Sequence, residues 1–292
     1  MRVQTGELGP APVALESTLL AHGVPREAGL PLARELDAIV RGEGATPAVC
    51  AVLGGVPTVG LSERQLVELL EAEPIKTNTA TLGLAIAARR HAATTVSTTM
   101  ELAAGAGVRT FATGGLGGVH RGYAERLDVS ADLAAFTRFP VAVVASGVKS
   151  ILDVEATREA LETLGVPVVG FQCDRFPAFY RRESEASVDE RFDDVRTLAA
   201  YVSMELARTG RGVLICNPIP EEDELESGMW SLWLAEAERR AQEGGATGRG
   251  VTPAVLGSLH EVSGGRTLEA NLALVRSNAR LAGELAVAIA AC

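Results

Sequence analysis

The chain alternates between short apolar runs and longer stretches whose apolar residues return every three or four positions. The runs "TPAVCAVLGG", "RTFATGG", "PVAVVASG", "VPVVGFQ" and "GVLICNPIP" are rich in small and β-branched side chains and bounded by Gly or Pro. They read as strands buried on both faces. Helical spacing covers Arg26 to Arg41, Ser62 to Ala72, Val154 to Leu164, Val188 to Arg208 and Glu221 to Glu243. A last helix, from about Thr267 to Ala290, carries one apolar stripe and is expected to close the structure. Strands that alternate with helices need crossover connections. The pattern therefore predicts an α/β fold with a largely parallel sheet and helices on both faces. No internal repeat or linker interrupts it. "GRGVTP", residues 248–253, reads as a loop too short to separate domains, so residues 1–292 read as a single domain.

Composition narrows the partners. Apolar residues make up 47% of the chain and aromatics only 4%, so the core must be built from Ala, Val and Leu. A net charge of −10 argues against nucleic acid or an anionic membrane, both of which need a basic footprint. Any phosphate must then be held in a local pocket. No signal peptide heads the chain, and no run of ~18 apolar residues is present. The four cysteines, Cys50, Cys173, Cys216 and Cys292, lie far apart without metal-ligand spacing. The expectation is a soluble cytoplasmic protein with reduced thiols.

In sheets of this kind, ligands bind beyond the carboxyl ends of the strands. Glu16, Thr113, Lys149 and Asn217 each close an apolar run there. Taken singly these signals are weak, since a glutamate after a strand is usually a solvated turn residue. The stretch "TGGLGGVHRG" adds four clustered glycines and His120. It reads either as a tight turn or as a cradle of amides for an anion. It is not a dinucleotide fingerprint, because His120 stands at the third glycine position. In "LDVSADL", Asp128, Ser130 and Asp132 alternate, which suits oxygen ligands for a hard divalent cation. The same spacing also suits a helix start with Ser130 as cap, and spacing alone favours that.

Lysine usage is the sharper signal. Of 27 basic side chains only Lys76 and Lys149 are lysine; the others are arginine. Arginine stays protonated and cannot act as an amine nucleophile, so a retained lysine points to chemistry that a guanidinium cannot do. Codon bias with two chance survivors is the plain alternative.

The blocks "ALESTLLAHG", "TGGLGGVHRG", "DVSADL", "SGVKSILD", "FPAFY", "NPIP" and "TPAVLGSLHEVSGGRTLEANLALVRSNA" together resemble the pseudouridine-5′-phosphate glycosidase family. The resemblance runs from about Val13 to the C-terminus. It implies a homotrimer of α/β subunits acting on the C–C bond between ribose C1′ and C5 of uracil, with a divalent cation, typically manganese. Carried over motif by motif, the nucleophilic lysine falls on Lys149, the proton donor on Glu16 and the metal carboxylate on Asp128. Substrate contacts fall on Lys76, Val96 and the Ser130-Ala131-Asp132 segment, while Thr113, His120 and Asn271 sit in matching motifs. The implied partners are ribose 5-phosphate and a nucleobase or aromatic aglycone. Both lysines land on site positions, which removes most of the weight from codon bias.

One block departs from the family. Where it usually carries Arg-Asp after the substrate lysine, this chain reads "KTNTATLG", with Ala80 and Thr81. Losing that charged pair leaves a less polar segment and opens the identity of the aglycone and the direction of the reaction. A C-riboside synthase, joining ribose 5-phosphate to an aromatic or heterocyclic acceptor, is the alternative from within the family. From another class, a non-catalytic sugar-phosphate-binding protein should lack the nucleophile or the acid, and Lys149 and Glu16 are both here. A class I aldolase would share a Schiff-base lysine but not these blocks.

Overall fold

A computed structural model describes residues 2–245 and 251–292. Its strands are β1 Gln4–Thr5, β2 Pro12–Glu16, β3 Thr46–Leu53, β4 Val56–Val59, β5 Ile75–Thr77 and β6 Ala92–Thr94. They continue with β7 Thr110–Ala112, β8 Ala142–Ala145, β9 Val168–Phe171, β10 Glu190–Phe192 and β11 Val213–Cys216. The helices are α1 Thr18–His22, α2 Arg26–Gly42, α3 Glu63–Glu71, α4 Leu82–Ala87, α5 Val96–Gly105 and α6 Tyr123–Arg126. After them come α7 Ala131–Phe136, α8 Val154–Thr163, α9 Val195–Thr209, α10 Ser227–Glu243, α11 Val251–Val262 and α12 Arg266–Ala290.

One sheet runs in the order β1-β4-β3-β2-β7-β8-β11-β9-β10. Its pairs are parallel except β3 with β4 and β3 with β6, so the expected largely parallel α/β architecture holds. Strand residues alternate between two cores with the period of the pleat. Val13, Leu15, Val144 and Ile215 join α2, α9, α10 and α12 on one face. Ala14, Val143, Ala145 and Leu214 join α4, α5, α7 and α8 on the other. Covered on both sides, the strands need no polar face, which is why they read as continuous apolar runs.

From β2 the chain leads to β3 and β4 on one side, while β7 and β8 continue on the other. The reversal lies between β2 and β7, the place where open sheets of this type leave a crevice. Glu16 ends β2, and Thr113 directly follows β7. Strands β5 and β6 pair in parallel with each other, and β6 is antiparallel to β3. This side extension carries Lys76.

Three helix boundaries differ from the periodicity. The expected helix from Val188 begins only at Val195, where the Asp194 side chain caps the Thr197 amide. Glu190–Phe192 instead pairs with β9 as an edge strand. The segment from Glu221 opens with a short 3₁₀ turn, and the helix starts at Ser227 after an extended Glu224. The loop read at 248–253 has residues 248–250 outside the described set, and Val251 already begins α11. Among the described residues no helix is long and apolar enough to cross a membrane. Cys50, Cys173 and Cys216 are buried free thiols, and Cys292 is an exposed one. Burial pushes the Cys50 and Cys173 thiols up to about 12, so neither offers a thiolate at neutral pH.

Candidate active site

Glu16 is buried at the end of β2, and the Thr113 hydroxyl donates a hydrogen bond to its carboxylate. Burial raises the Glu16 pKa above the ordinary value. The Lys149 charge, the Thr113 hydrogen bond and the Lys76 charge oppose that rise, and the Asp132 charge adds to it. One carboxyl, two amines and a second carboxylate therefore share one electrostatic environment at the sheet's switch point. Burial, and next the Lys149 charge, hold the Lys76 amine below its ordinary value. Lys76 still exposes more than a third of its surface, so it sits at the rim of the group rather than inside it.

Lys149 follows β8 in a loop clamped from two sides. Its amide donates to the Leu116 carbonyl at 3.1 Å, and the Leu116 amide donates to the Gly147 carbonyl at 2.9 Å. Gly147 has φ +69°, and a Cβ there would run into the Pro177 carbonyl oxygen. The "FPAFY" block thus acts as the outer jaw. Its Phe179 amide donates to the Ser146 carbonyl at 2.8 Å, and Phe179 itself adopts φ +61°. A left-handed phenylalanine costs roughly 1–3 kcal/mol, stored beside the candidate nucleophile.

The glycine-rich segment resolves toward close packing. The Gly117 amide donates to Asp132 Oδ2 at 2.9 Å, and the Val119 amide donates to Thr157 Oγ1 at 2.9 Å. With the Thr113, Leu116 and His120 amides also taken, five amides of the run already serve protein acceptors. A Cβ at Gly117 would collide with Ser130 and stand 2.8 Å from Asp132 Oδ2. The glycine lets the loop approach these side chains.

"DVSADL" takes its helix-start reading. Ser130 caps α7 by accepting the Asp132 amide at 3.2 Å. Asp132 is buried, and its Oδ1 accepts the Ser97 amide at 2.9 Å in the first turn of α5. It thereby ties α5, which lacks a side-chain cap of its own, to the glycine loop. Alternation of Asp128, Ser130 and Asp132 does not converge on one ion. Asp128 stays exposed, with His120 Nδ1 4.0 Å from its Oδ2. Among the described residues no three His, Cys, Asp or Glu side chains converge as a metal cluster. One exposed carboxylate with a neighbouring imidazole fits a magnesium- or manganese-like ion that keeps several waters and shares substrate oxygens.

The remaining positions divide. Val96 is buried in the core beneath the site, so only its backbone, at the first turn of α5, faces a ligand role. Ala131 is the first residue of α7. Asn271 is buried on α12, and its Oδ1 has no hydrogen-bond partner. No hydrogen bond or ion pair links Asn271 to the Glu16 group among the described residues. Ala80 is exposed, and Thr81 is knotted to its own turn, with its hydroxyl 3.0 Å from Thr77 Oγ1 and accepting the Asn78 amide at 3.1 Å.

Sequence reasoning missed Asn278, which is fully buried on α12 among apolar neighbours. It also left the role of Asn217 open. The Asn217 Nδ2 donates to Asn278 Oδ1 at 2.9 Å and to Ser277 Oγ at 3.0 Å, so it joins the end of β11 to α12. The signal for Asn217 is an asparagine that closes an apolar run, whereas Asn278 stands among Arg276, Ser277 and Arg280 and carries no local signal.

Residues 5–288 match the model of the indigoidine synthase A-like proteins. The chain belongs to that family. A pseudouridine-5′-phosphate glycosidase of Methylobacterium nodulans is 47% identical over 285 residues, covering 97% of this chain and 85% of the relative. One of Solibacter usitatus is 46% identical, covering 94% and 92%. An indigoidine synthase A-like protein of Thermotoga maritima superposes with a TM-score of 0.91 at 37% identity, covering 99% and 97%. The prealnumycin C-glycosynthase AlnA, solved with ribulose 5-phosphate, superposes at 0.87 and 37% identity, covering 96% and 91%. The chain is an enzyme of the pseudouridine-5′-phosphate glycosidase kind, within a family whose fold also serves C-glycoside synthesis.

Proposed function

We propose that this member of the indigoidine synthase A-like family makes or breaks the C–C bond at C1′ of ribose 5-phosphate through a Schiff base on Lys149. Its first reaction is hydrolysis of pseudouridine 5′-phosphate to uracil and ribose 5-phosphate. The observation that carries this reading is the meeting of Glu16, Lys149 and Lys76 at the switch point of the sheet.

A carbon leaving group cannot simply be protonated off, as an oxygen or nitrogen can. Glu16, whose carboxyl burial holds above its ordinary value, gives its proton to the ring oxygen as the C1′–O bond opens. The neutral amine of Lys149 bonds C1′ and sheds a proton. The C1′–C5 bond then breaks, C5 of uracil takes up a proton, and an iminium to Lys149 remains. Water adds at C1′, releasing ribose 5-phosphate and free Lys149, so the sum is substrate plus one water. Run backwards on ribose 5-phosphate, the same steps join an acceptor carbon to C1′. Lys76 offers a cation for the phosphate or a sugar oxygen. A divalent cation, manganese by preference, would be held by Asp128 with His120 beside it and would supply charge for the substrate's oxygens. The homotrimer belongs to the same reading.

Two features favour the synthetic direction as a second reading. Ala80 and Thr81 stand where the family resemblance implies Arg-Asp, and one well-superposing relative is a C-glycosynthase. The deciding experiment gives the protein pseudouridine 5′-phosphate, and separately ribose 5-phosphate with uracil or a panel of aromatic acceptors. Uracil release supports cleavage, a C-riboside from an aromatic acceptor supports synthesis, and neither product removes the proposal.

A further inference from the structure

Asn278 lies on α12 where its neighbours are apolar: Leu274, Val275, Ala279, Leu281 and Ala282 all belong to the core. A buried amide in such a place is costly unless its hydrogen bonds are made. Here they are. Its Nδ2 donates to the Thr113 carbonyl at 2.8 Å, with Ser146 Oγ at 3.1 Å and the Gly114 carbonyl at 3.3 Å also in reach. Its Oδ1 accepts from Asn217 Nδ2 at 2.9 Å, and the Ser146 hydroxyl lies 3.4 Å away. Two of these neighbours are backbone carbonyls, which only accept, so the nitrogen of Asn278 must face them. The amide orientation is forced by its partners.

The partners are the residues just beyond the ends of β7, β8 and β11: Thr113, Ser146 and Asn217. Past the strand ends the Ser146 amide donates to the Gly114 carbonyl at 2.9 Å, and Asn278 supplies the donor for the Thr113 carbonyl. Thr113 is itself fully enclosed and anchored at both backbone groups, since its amide donates to the Val144 carbonyl at 3.1 Å. Its remaining polar atom is the hydroxyl, and that donates to Glu16. A chain of direct contacts therefore runs from Asn278 through Thr113 to the Glu16 carboxylate. We propose that Asn278 is a positioning residue for the reaction: by holding the Thr113 backbone it sets the Thr113 hydroxyl on Glu16. This deepens, and rests on, the role of Glu16 as proton donor.

A merely structural asparagine would lower the melting temperature when replaced and leave Glu16 as it was. A positioning residue must also change the proton affinity of Glu16, because the Thr113 hydroxyl favours the carboxylate. The test is isotope-edited infrared titration of the glutamate carboxyls, with the Glu16 band assigned by its loss in Glu16→Gln. Asn278→Ala, with Asn278→Ser should alanine fail to fold, is compared with Thr113→Val and with the double variant. The expected result is that each single variant moves the Glu16 midpoint to higher pH. The double variant should move it no further than Thr113→Val, since both act on one contact. In active protein, Asn278→Ala should lower kcat by about tenfold with KM within about twofold. A folded Asn278 variant with the wild-type Glu16 midpoint, beside a Thr113→Val that shifts it, overturns the proposal. The infrared readout does not need turnover. If wild type fails to form an adduct with ribose 5-phosphate, the proposed function falls while the Asn278 comparison still gives its answer.

Discussion

Lys149 stands close enough to Lys76 for its charge to oppose protonation of the Lys76 amine. These are the two lysines of a chain that otherwise uses arginine, and the fold brings them to one site. Burial and the Lys149 charge lower the cost of making the Lys76 amine neutral, while Lys149 is the amine the proposed mechanism uses as nucleophile. Borohydride added with ribose 5-phosphate should fix a pentose phosphate on Lys149, read by peptide mapping. Lys149→Arg should keep the charge, form no adduct and lose turnover by about a thousandfold or more. An adduct mapped to Lys76 would reverse the roles.

Glu16 links pH to stability. Burial, the largest influence, holds its carboxyl above the ordinary 4.5. Between that value and the raised one, the folded protein binds more protons than the unfolded chain, so stability falls as pH climbs through the window. Below 4.5 both states are protonated and the cost vanishes. Above the window the cost is present in full. Glu16→Gln should therefore gain on wild type in melting temperature as pH climbs through that window, with the gap closing as pH falls. Thermal melts of both proteins across pH check this, and a gap that widens in acid would contradict it.

Asp132 spends each carboxylate oxygen on a backbone amide, Ser97 on one side and Gly117 on the other. Asp132→Ala strands both donors in a buried site and should cost about 2–5 kcal/mol in denaturant unfolding. Asp132→Asn should cost about 1–3 kcal/mol, because one amide would then face the asparagine NH2. Ser130→Ala, which removes only the cap of α7, should cost about 1 kcal/mol. A neutral Asp132→Ala would show that its carboxylate faces substrate more than scaffold.

The sheet was legible because strands buried on both faces need unbroken apolar runs, as "PVAVVASG" and "GVLICNPIP" have. What escaped were short elements carried by tertiary contact. β5 and β6 each span three residues and pair mainly with each other, so no periodicity could announce them. The edge strand at Glu190 was absorbed into the pattern of the helix behind it. In the site, the lysines stood out by rarity and Glu16 by its place at a strand end. The glycines were ambiguous, because a cradle for an anion and a notch for Ser130 and Asp132 demand the same residue. Asn278 was invisible for a different reason. Its partners, the Thr113 and Gly114 carbonyls with the Ser146 and Asn217 side chains, lie just past the ends of distant strands, and no local spacing encodes them.

Asp128 and His120 test the cation separately from the amine. Exhaustive chelation and Asp128→Ala should each lower activity by more than about tenfold. Added manganese should restore the chelated wild type and leave the variant low. His120→Ala, 4.0 Å from the Asp128 carboxylate, should raise the manganese concentration needed for half-activation. Full activity in chelator would leave Asp128 with no role beyond its exposed loop.

Ala80 and Thr81 decide between cleavage and synthesis. Ala80 is exposed, and the Thr81 hydroxyl closes a local knot with Thr77 and Asn78 just after Lys76. If the Arg-Asp of the glycosidases is only a peripheral pair there, its loss is worth at most about 1 kcal/mol and would scarcely show. If the pair frames the uracil side of the pocket, its absence leaves polar groups of uracil unpaired at ~1–3 kcal/mol each. Cleavage of pseudouridine 5′-phosphate should then run about ten- to a hundredfold below Ala80→Arg/Thr81→Asp. Binding of ribose 5-phosphate should be unchanged, because the exchange leaves Lys76, Lys149 and Glu16 in place. The double substitution also keeps an acceptor at position 81 for the Asn78 amide, so the turn should survive it. Both proteins are assayed in both directions, with uracil and with less polar aromatic acceptors. Brisk wild-type cleavage that the double substitution does not improve removes the synthetic reading. A slow wild type that couples an aromatic acceptor to ribose 5-phosphate, and a double variant that gains uracil release while losing that coupling, would make Ala80 and Thr81 the residues that turn the same lysine chemistry toward synthesis.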